Sequence, residues 1–141
     1  MRVSHCARQL RLAVLVTLVW IAVASFASQV PQSSPEFSPE SLNFGSQRVD
    51  VSSAAKPITI TNRGSSPLFI FKVSATSDFA VSDNCRHPLR HNESCQIQVT
   101  FSPAFPGATK GQITVLDNTG DSPHRLTVDG TGVAAAEVSP H

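Results

Sequence analysis

Gln96-Ile97-Gln98-Val99-Thr100-Phe101 alternates polar and apolar residues without a break, and Ser102-Pro103 closes it. A period of two belongs to a strand with one face buried and the other wet. Cys95 stands at its entrance, and Cys85 lies upstream across a loop carrying Pro88, Asn92 and Glu93. A bridge between Cys85 and Cys95 would staple that loop to the edge of a β-core, a construction suited to an oxidising compartment.

The N-terminus points the same way. Arg2, Arg8 and Arg11 precede the apolar run Leu12 to Ala24, and Ser25 and Ala27 stand at the minus-three and minus-one positions of a cleavage site before Ser28. These are the three parts of a secretory signal peptide over residues 1–27, and the run is shorter than the roughly 20 apolar residues of a membrane span. Cleavage would remove Cys6 and leave an even pair of thiols. It would also remove three of the 11 basic residues and none of the 10 acidic ones, leaving eight against ten. The expected product is secreted or periplasmic, not stably inserted in a membrane, and without the clustered basic face that nucleic acid requires.

About 114 of the 141 residues would remain, enough for one domain with its own core. Residues 28–39, with Pro31, Pro35 and Pro39 among small polar residues, read as a linker. The domain is expected over 40–133 and a flexible tail over 134–141. Strands are expected at Ser41 to Phe44 (stopped by Gly45), Pro57 to Asn62, Leu68 to Val73, around Phe79 to Val81, Gln96 to Phe101, Gln112 to Leu116 and Arg125 to Val128. Seven short strands at such intervals make an all-β sandwich of immunoglobulin type. Its core is expected to contain Leu42, Phe44, Ile58, Ile60, Leu68, Ile70, Ile97, Val99, Phe101, Ile113, Val115, Leu126 and Val128.

The order Leu42-Asn43-Phe44-Gly45, Ile58 to Asn62 followed by Gly64 and Pro67-Leu68, Phe79, the two cysteines, Val99 to Pro103 with Gly107, and Val128 to Gly132 resembles the ASH-type (abnormal-spindle and hydin) immunoglobulin-like domain. More closely it is similar to the secreted bacterial copies called choice-of-anchor D domains. The resemblance spans Phe37 to Val133. It implies a seven-stranded sandwich related to the major sperm protein fold, used for binding and not for catalysis. Eukaryotic members look like ciliary and centrosomal components, from which this chain departs in its leader and its thiol pair.

Several patterns carry chemistry on paper. Cys85, His87, His91 and Cys95 offer four zinc donors within eleven residues, but zinc ligands ordinarily come as pairs from two separate turns. Export favours the disulfide, with His87 and His91 as solvated loop residues. Ser53-Ala54-Ala55-Lys56 has the S-x-x-K spacing of serine acyl-enzymes, yet Pro57 and a strand follow where a helix is required. Asp117 to Asp121 offers oxygens to calcium but has Ser122 and Val128 where an EF-hand needs Gly and Glu, and a turn accounts for it. Asn92-Glu93-Ser94 is a glycosylation sequon. No Gly-x-Ser-x-Gly or phosphate loop occurs, so neither an enzyme nor a cofactor is expected.

In Leu68-Phe69-Ile70-Phe71-Lys72-Val73 both faces of the strand are apolar. With Leu68 and Ile70 inward, Phe69 and Phe71 point outward. Either a bulge or a neighbouring loop covers them, or they form an aromatic contact patch. The expected function is a binding or structural module holding a protein or glycan partner on its surface. The alternatives are a periplasmic chaperone that pairs a client with an edge strand and a cilium- or microtubule-associated component.

Overall fold

The computed structural model describes residues 30–135, so the expected leader and the tail beyond Ala135 lie outside the described residues. Eight strands follow in order: β1 Pro35–Ser38, β2 Ser41–Arg48, β3 Lys56–Asn62, β4 Ile70–Ala75, β5 Phe79–Asp83, β6 Ser94–Phe101, β7 Gly107–Asp117 and β8 His124–Val133. They form two four-stranded sheets, β1-β3-β6-β5 and β2-β8-β7-β4. All pairings are antiparallel except that of β2 with β8. The sheets face each other as a sandwich of immunoglobulin type.

The alternation in β6 sets the register of one sheet. Cys95, Ile97, Val99 and Phe101 are buried while Ser94 and Gln96 on the opposite face are exposed. Ile58 and Ile60 of β3 and Phe79 of β5 join the same inner face. Ile113 and Val115 of β7, with Leu126 and Val128 of β8, supply the facing layer. Between the layers Phe101 stacks on Phe79 with centroids 4.9 Å apart, and Phe44 lies 5.8 Å from Phe101 and 5.9 Å from Phe79. Gly130 makes this stack possible: a Cβ there would lie 2.7 Å from Phe101 Cδ1, closer than packed atoms tolerate. The expected core residues are buried, except that Phe44 and Ile70 are partly covered at its rim, and Leu89 and Phe79 join it.

Three expectations are corrected. Among the described residues the strand count is eight, not seven, because Pro35–Ser38 lies inside the expected linker yet pairs with Thr59 to Asn62 of β3. Pro35 begins this edge strand, where a missing amide costs no ladder bond. Phe37 turns in against the His124 ring at 5.3 Å and Glu36 pairs with Arg63. The second correction is at Gly45, which does not stop β2. With φ of 64° it forms part of a bulge between Asn43 and Ser46, after which the strand continues to Arg48, a position that favours glycine. Third, Leu68 makes only an isolated bridge with Leu89, and β4 proper begins at Ile70.

Candidate functional site

β4 is an edge strand, and among the described residues its one hydrogen-bonded neighbour is β7. Thr76 donates its amide to Gln112 O, and Asn118 donates its amide to Phe69 O. By the alternation of an antiparallel ladder, the backbone groups of Val73 and Ala75 face away from β7. The register with β7 shifts between Ile70 and Lys72, so Phe71 is the extra residue of a bulge. A bulge is therefore present, but it does not bury the ring. Phe71 is 64% exposed and Phe69 44%. Leu116, register partner of Lys72, adds a third exposed apolar side chain at 42%.

Phe69 is held from both sides. Its amide donates to Asn118 Oδ1 at 2.9 Å, and Asn118 Nδ2 donates to Pro67 O at 3.1 Å. Alongside, Ile70, Phe71, Lys72 and Val73 border an open groove of about 380 Å³ whose far wall is Asp83, Cys85 and Arg86. That wall is rigid because Cys85 and Cys95 form a disulfide with Cα atoms 5.2 Å apart. Asp83 Oδ1 and Asn84 Oδ1 accept the amides of Cys85 and Gln96. The bridge uses both sulfurs, so no thiolate is left for a metal. His91 Nδ1 instead meets Gly64 O at 2.9 Å. The disulfide is the chemistry of an oxidising compartment.

Asn62 is wholly buried and joins four segments. Its Nδ2 donates to Ser66 O and Leu89 O, both at 2.8 Å, and its Oδ1 accepts the amides of Ser34 at 3.2 Å and Gly64 at 2.9 Å. Gly64 must be glycine here, because a Cβ would lie 2.6 Å from Ser34 N. The sequence marked Asn62 and Gly64 as a turn; that their spacing also clamps residues 32–34 is decided by the fold.

At the β7–β8 hairpin the Asp117 to Asp121 segment is the turn expected from the sequence, but the part taken by His124 was not anticipated. Asp117 is buried and its Oδ1 accepts both the amide and the hydroxyl of Thr119, at 2.8 and 2.5 Å. This is an Asx turn, which explains the Asn-Thr-Gly run. His124 Nε2 lies 3.0 Å from Thr119 Oγ1 and 3.1 Å from Asp117 Oδ2. Both contacts engage the same ring nitrogen, so this is not the relay of a hydrolase, in which the acid and the nucleophile use different nitrogens. The exposed Asp121 carboxyl is held below its ordinary value by the Thr119 hydroxyl, then by its own backbone amide, with a smaller contribution from His124. Ser53 and Lys56 likewise serve the fold: Ser53 Oγ accepts the Phe101 amide and Lys56 Nζ donates to Asn43 O.

Two four-stranded layers of this kind define an immunoglobulin-like β-sandwich. Residues 35–132 match the family described as "Protein of unknown function (DUF1573)", and the chain belongs to that family. A comparison with curated proteins finds no match. Among solved structures, a protein of unknown function from Porphyromonas gingivalis superimposes with a TM-score of 0.62 at 15% identity, over 76% of this chain and 51% of that one. The chain thus spans about half of that protein. An ASH/PapD-like domain of human CEP192 superimposes with a TM-score of 0.58 at 14% identity, over 81% of this chain and 97% of the domain. The VesB protease of Vibrio cholerae matches over only 31% of its length, with a TM-score of 0.53 and 20% identity. At these identities the likeness is one of fold.

Proposed function

We propose that this protein is an exported, non-enzymatic immunoglobulin-like module that holds a protein or glycan partner on the surface of β4, with Phe69 and Phe71 as its first contacts. The observation that carries this reading is the pair of exposed phenylalanines at the start of an edge strand, Phe69 just before β4 and Phe71 within it, 44% and 64% exposed. Aromatic side chains concentrate binding energy at interfaces, and a strand tethered by Asn118 and backed by a stapled loop presents them in a fixed position. The signal-like N-terminus and the disulfide support export, and the sequence resemblance to choice-of-anchor D domains fits an extracytoplasmic binding role.

The edge of β4 also admits the chaperone reading, in which a client strand pairs with Val73 and Ala75. A bulge and a lysine on an edge are the devices by which sheets discourage such pairing, and β4 carries both at Phe71 and Lys72. Capture by side chains is therefore favoured over capture by backbone. The test is the double substitution Phe69→Ser/Phe71→Ser, with crosslinked neighbours recovered from the native compartment and identified. Stability should stay within about 1 kcal/mol of the parent, while yield of the specific neighbour falls at least about tenfold. A folded double variant that retains the same neighbour at full yield would overturn the proposal.

A further inference from the structure

Among the described residues β1, β5, β2 and β4 form the edges of the two sheets, and three of these edges are guarded. β1 has Pro35 on its free side, where there is no amide hydrogen to donate. β2 is interrupted by the bulge at Gly45, and β4 by the bulge at Phe71 beside Lys72. Such features keep an edge from recruiting another strand. β5 has none of them: Phe79-Ala80-Val81-Ser82-Asp83 contains neither proline nor lysine, and its ladder with β6 runs from Phe79 opposite Phe101 to Asp83 opposite Ile97 without a shift. The ladder also fixes which groups are free. Asn84 donates its amide to Gln96 O, and Ser102 donates its amide to Asp78 O, so the even-numbered residues of β5 bond to β6 and the odd-numbered ones face away. Val81 and Asp83 therefore point both amide and carbonyl off the sheet, and among the described residues these groups have no other backbone partner. The Asp83 carboxylate is turned aside, with Oδ1 accepting the Cys85 amide.

We propose that the partner of the Phe69 and Phe71 surface is an extended peptide that adds to β5 as the next strand of its sheet, with an apolar residue at every second position and a carboxylate beside Lys72 and Arg86. This rests on the reading of Phe69 and Phe71 as a contact surface. The groove between β4 and the start of the cysteine loop runs along the same flank, lined by Ile70, Phe71, Val73 and Asp83. Val73, Ala75 and Val81 are only partly buried at the rim of the core, so the inward side chains of an added strand would complete their cover. An extended backbone supplies donors and acceptors in the alternation that Val81 and Asp83 present, while pockets for alternate side chains supply selectivity. Lys72 and Arg86 line the groove as well, and neither is ion-paired among the described residues. Two cations against the one carboxylate of Asp83 favour an acidic residue in the peptide. β4 thus contributes side chains and β5 the backbone.

The probe is a labelled octapeptide alternating Val and Thr with one terminal Asp, titrated against the purified protein by fluorescence anisotropy. Binding should be saturable. Methylating the peptide amides of one alternating phase should weaken it about tenfold or more, and methylating the other phase by less than about twofold, because only one phase of an added strand faces β5. Val81→Pro should weaken binding about tenfold while the unfolding midpoint stays within about 5 °C, since the amide it removes bonds nothing in the free protein. Lys72→Ala/Arg86→Ala should abolish the preference for the Asp peptide over its Asn counterpart. Absence of saturable binding, or equal effects of the two methylated phases, would overturn strand addition. So would a dimer of this chain, seen by sedimentation, that Val81→Pro dissociates. If Phe69→Ser/Phe71→Ser loses the crosslinked neighbour while Val81→Pro keeps it, strand addition fails and the aromatic contact stands. The reverse result overturns the aromatic contact and leaves the strand on β5.

Discussion

Replacing Asn62 with Ala tests whether one buried amide holds the N-terminal strand, the 62–67 turn and the cysteine loop together. Its side chain makes four hydrogen bonds, to Ser34 N, Gly64 N, Ser66 O and Leu89 O. A net hydrogen bond is worth about 1 kcal/mol, and a buried group left unpaired costs about 1–3. Ser34 is exposed and its amide can turn to water, and Leu89 O keeps a second donor in the Leu68 amide at 2.9 Å. Gly64 N and the lost packing carry most of the remainder, so we expect a destabilisation of about 2–4 kcal/mol. That lowers the unfolding midpoint by roughly 10–25 °C for a domain of this size. Urea titration followed by fluorescence or circular dichroism gives the free energy, and limited proteolysis gives its location, since new cleavage should appear within 31–35. Asn62→Asp should be nearly as damaging, because a carboxylate oxygen would then face two carbonyls. A loss below about 0.5 kcal/mol for Asn62→Ala, with residues 31–35 still protected, would refute the clamp.

Removing the disulfide by Cys85→Ser/Cys95→Ser should cost about 3 kcal/mol, since the bridge closes a loop with a sequence separation of 10; chemical denaturation of oxidised parent against variant measures it. Phe101→Ala should cost about 3–5 kcal/mol, because the ring is 0% exposed and stacked on Phe79. Gly130→Ala adds a single methyl and should still cost about 1–3 kcal/mol by forcing that ring aside, and an unchanged midpoint would contradict the described contact. The carboxyl of Asp121 should titrate below its ordinary 3.8. Its small stabilising effect is therefore present above that pH and lost as pH falls through the lower folded value. A carbon-detected titration with a midpoint at or above 3.8 would show that the Thr119 hydroxyl serves Asp117 alone.

The strands with one buried face and one wet face were legible residue by residue. In β6 and β3, alternation alone separates Ile97, Val99, Phe101, Ile58 and Ile60 from their wet neighbours, because the side-chain period of a strand is a local property. The disulfide was legible for a similar reason: Cys85 and Cys95 flank one short loop at the entrance of a strand, behind a signal-like N-terminus that favours oxidation over thiolate chemistry. β1 was hidden, since Pro35 and Pro39 in a polar run read as linker. What makes Pro35–Ser38 a strand is its partner in β3 and the Asn62 clamp 28 residues further on.

The sequence by itself determined the class of fold, most of the core, the cysteine pair and the choice of Phe69 and Phe71 as the residues to examine. Whether those two rings were covered was left to the tertiary structure, because exposure depends on which strand neighbours β4 and on the bulge at Phe71. The same holds for Asp117, Asp121 and His124. Their spacing reads as an ordinary hairpin turn, and only the pairing of β7 with β8, Val115 opposite His124, carries the imidazole to a buried carboxylate. Periodicity fixes which face a residue takes; the meeting of side chains from different strands is a property of the assembled sheets.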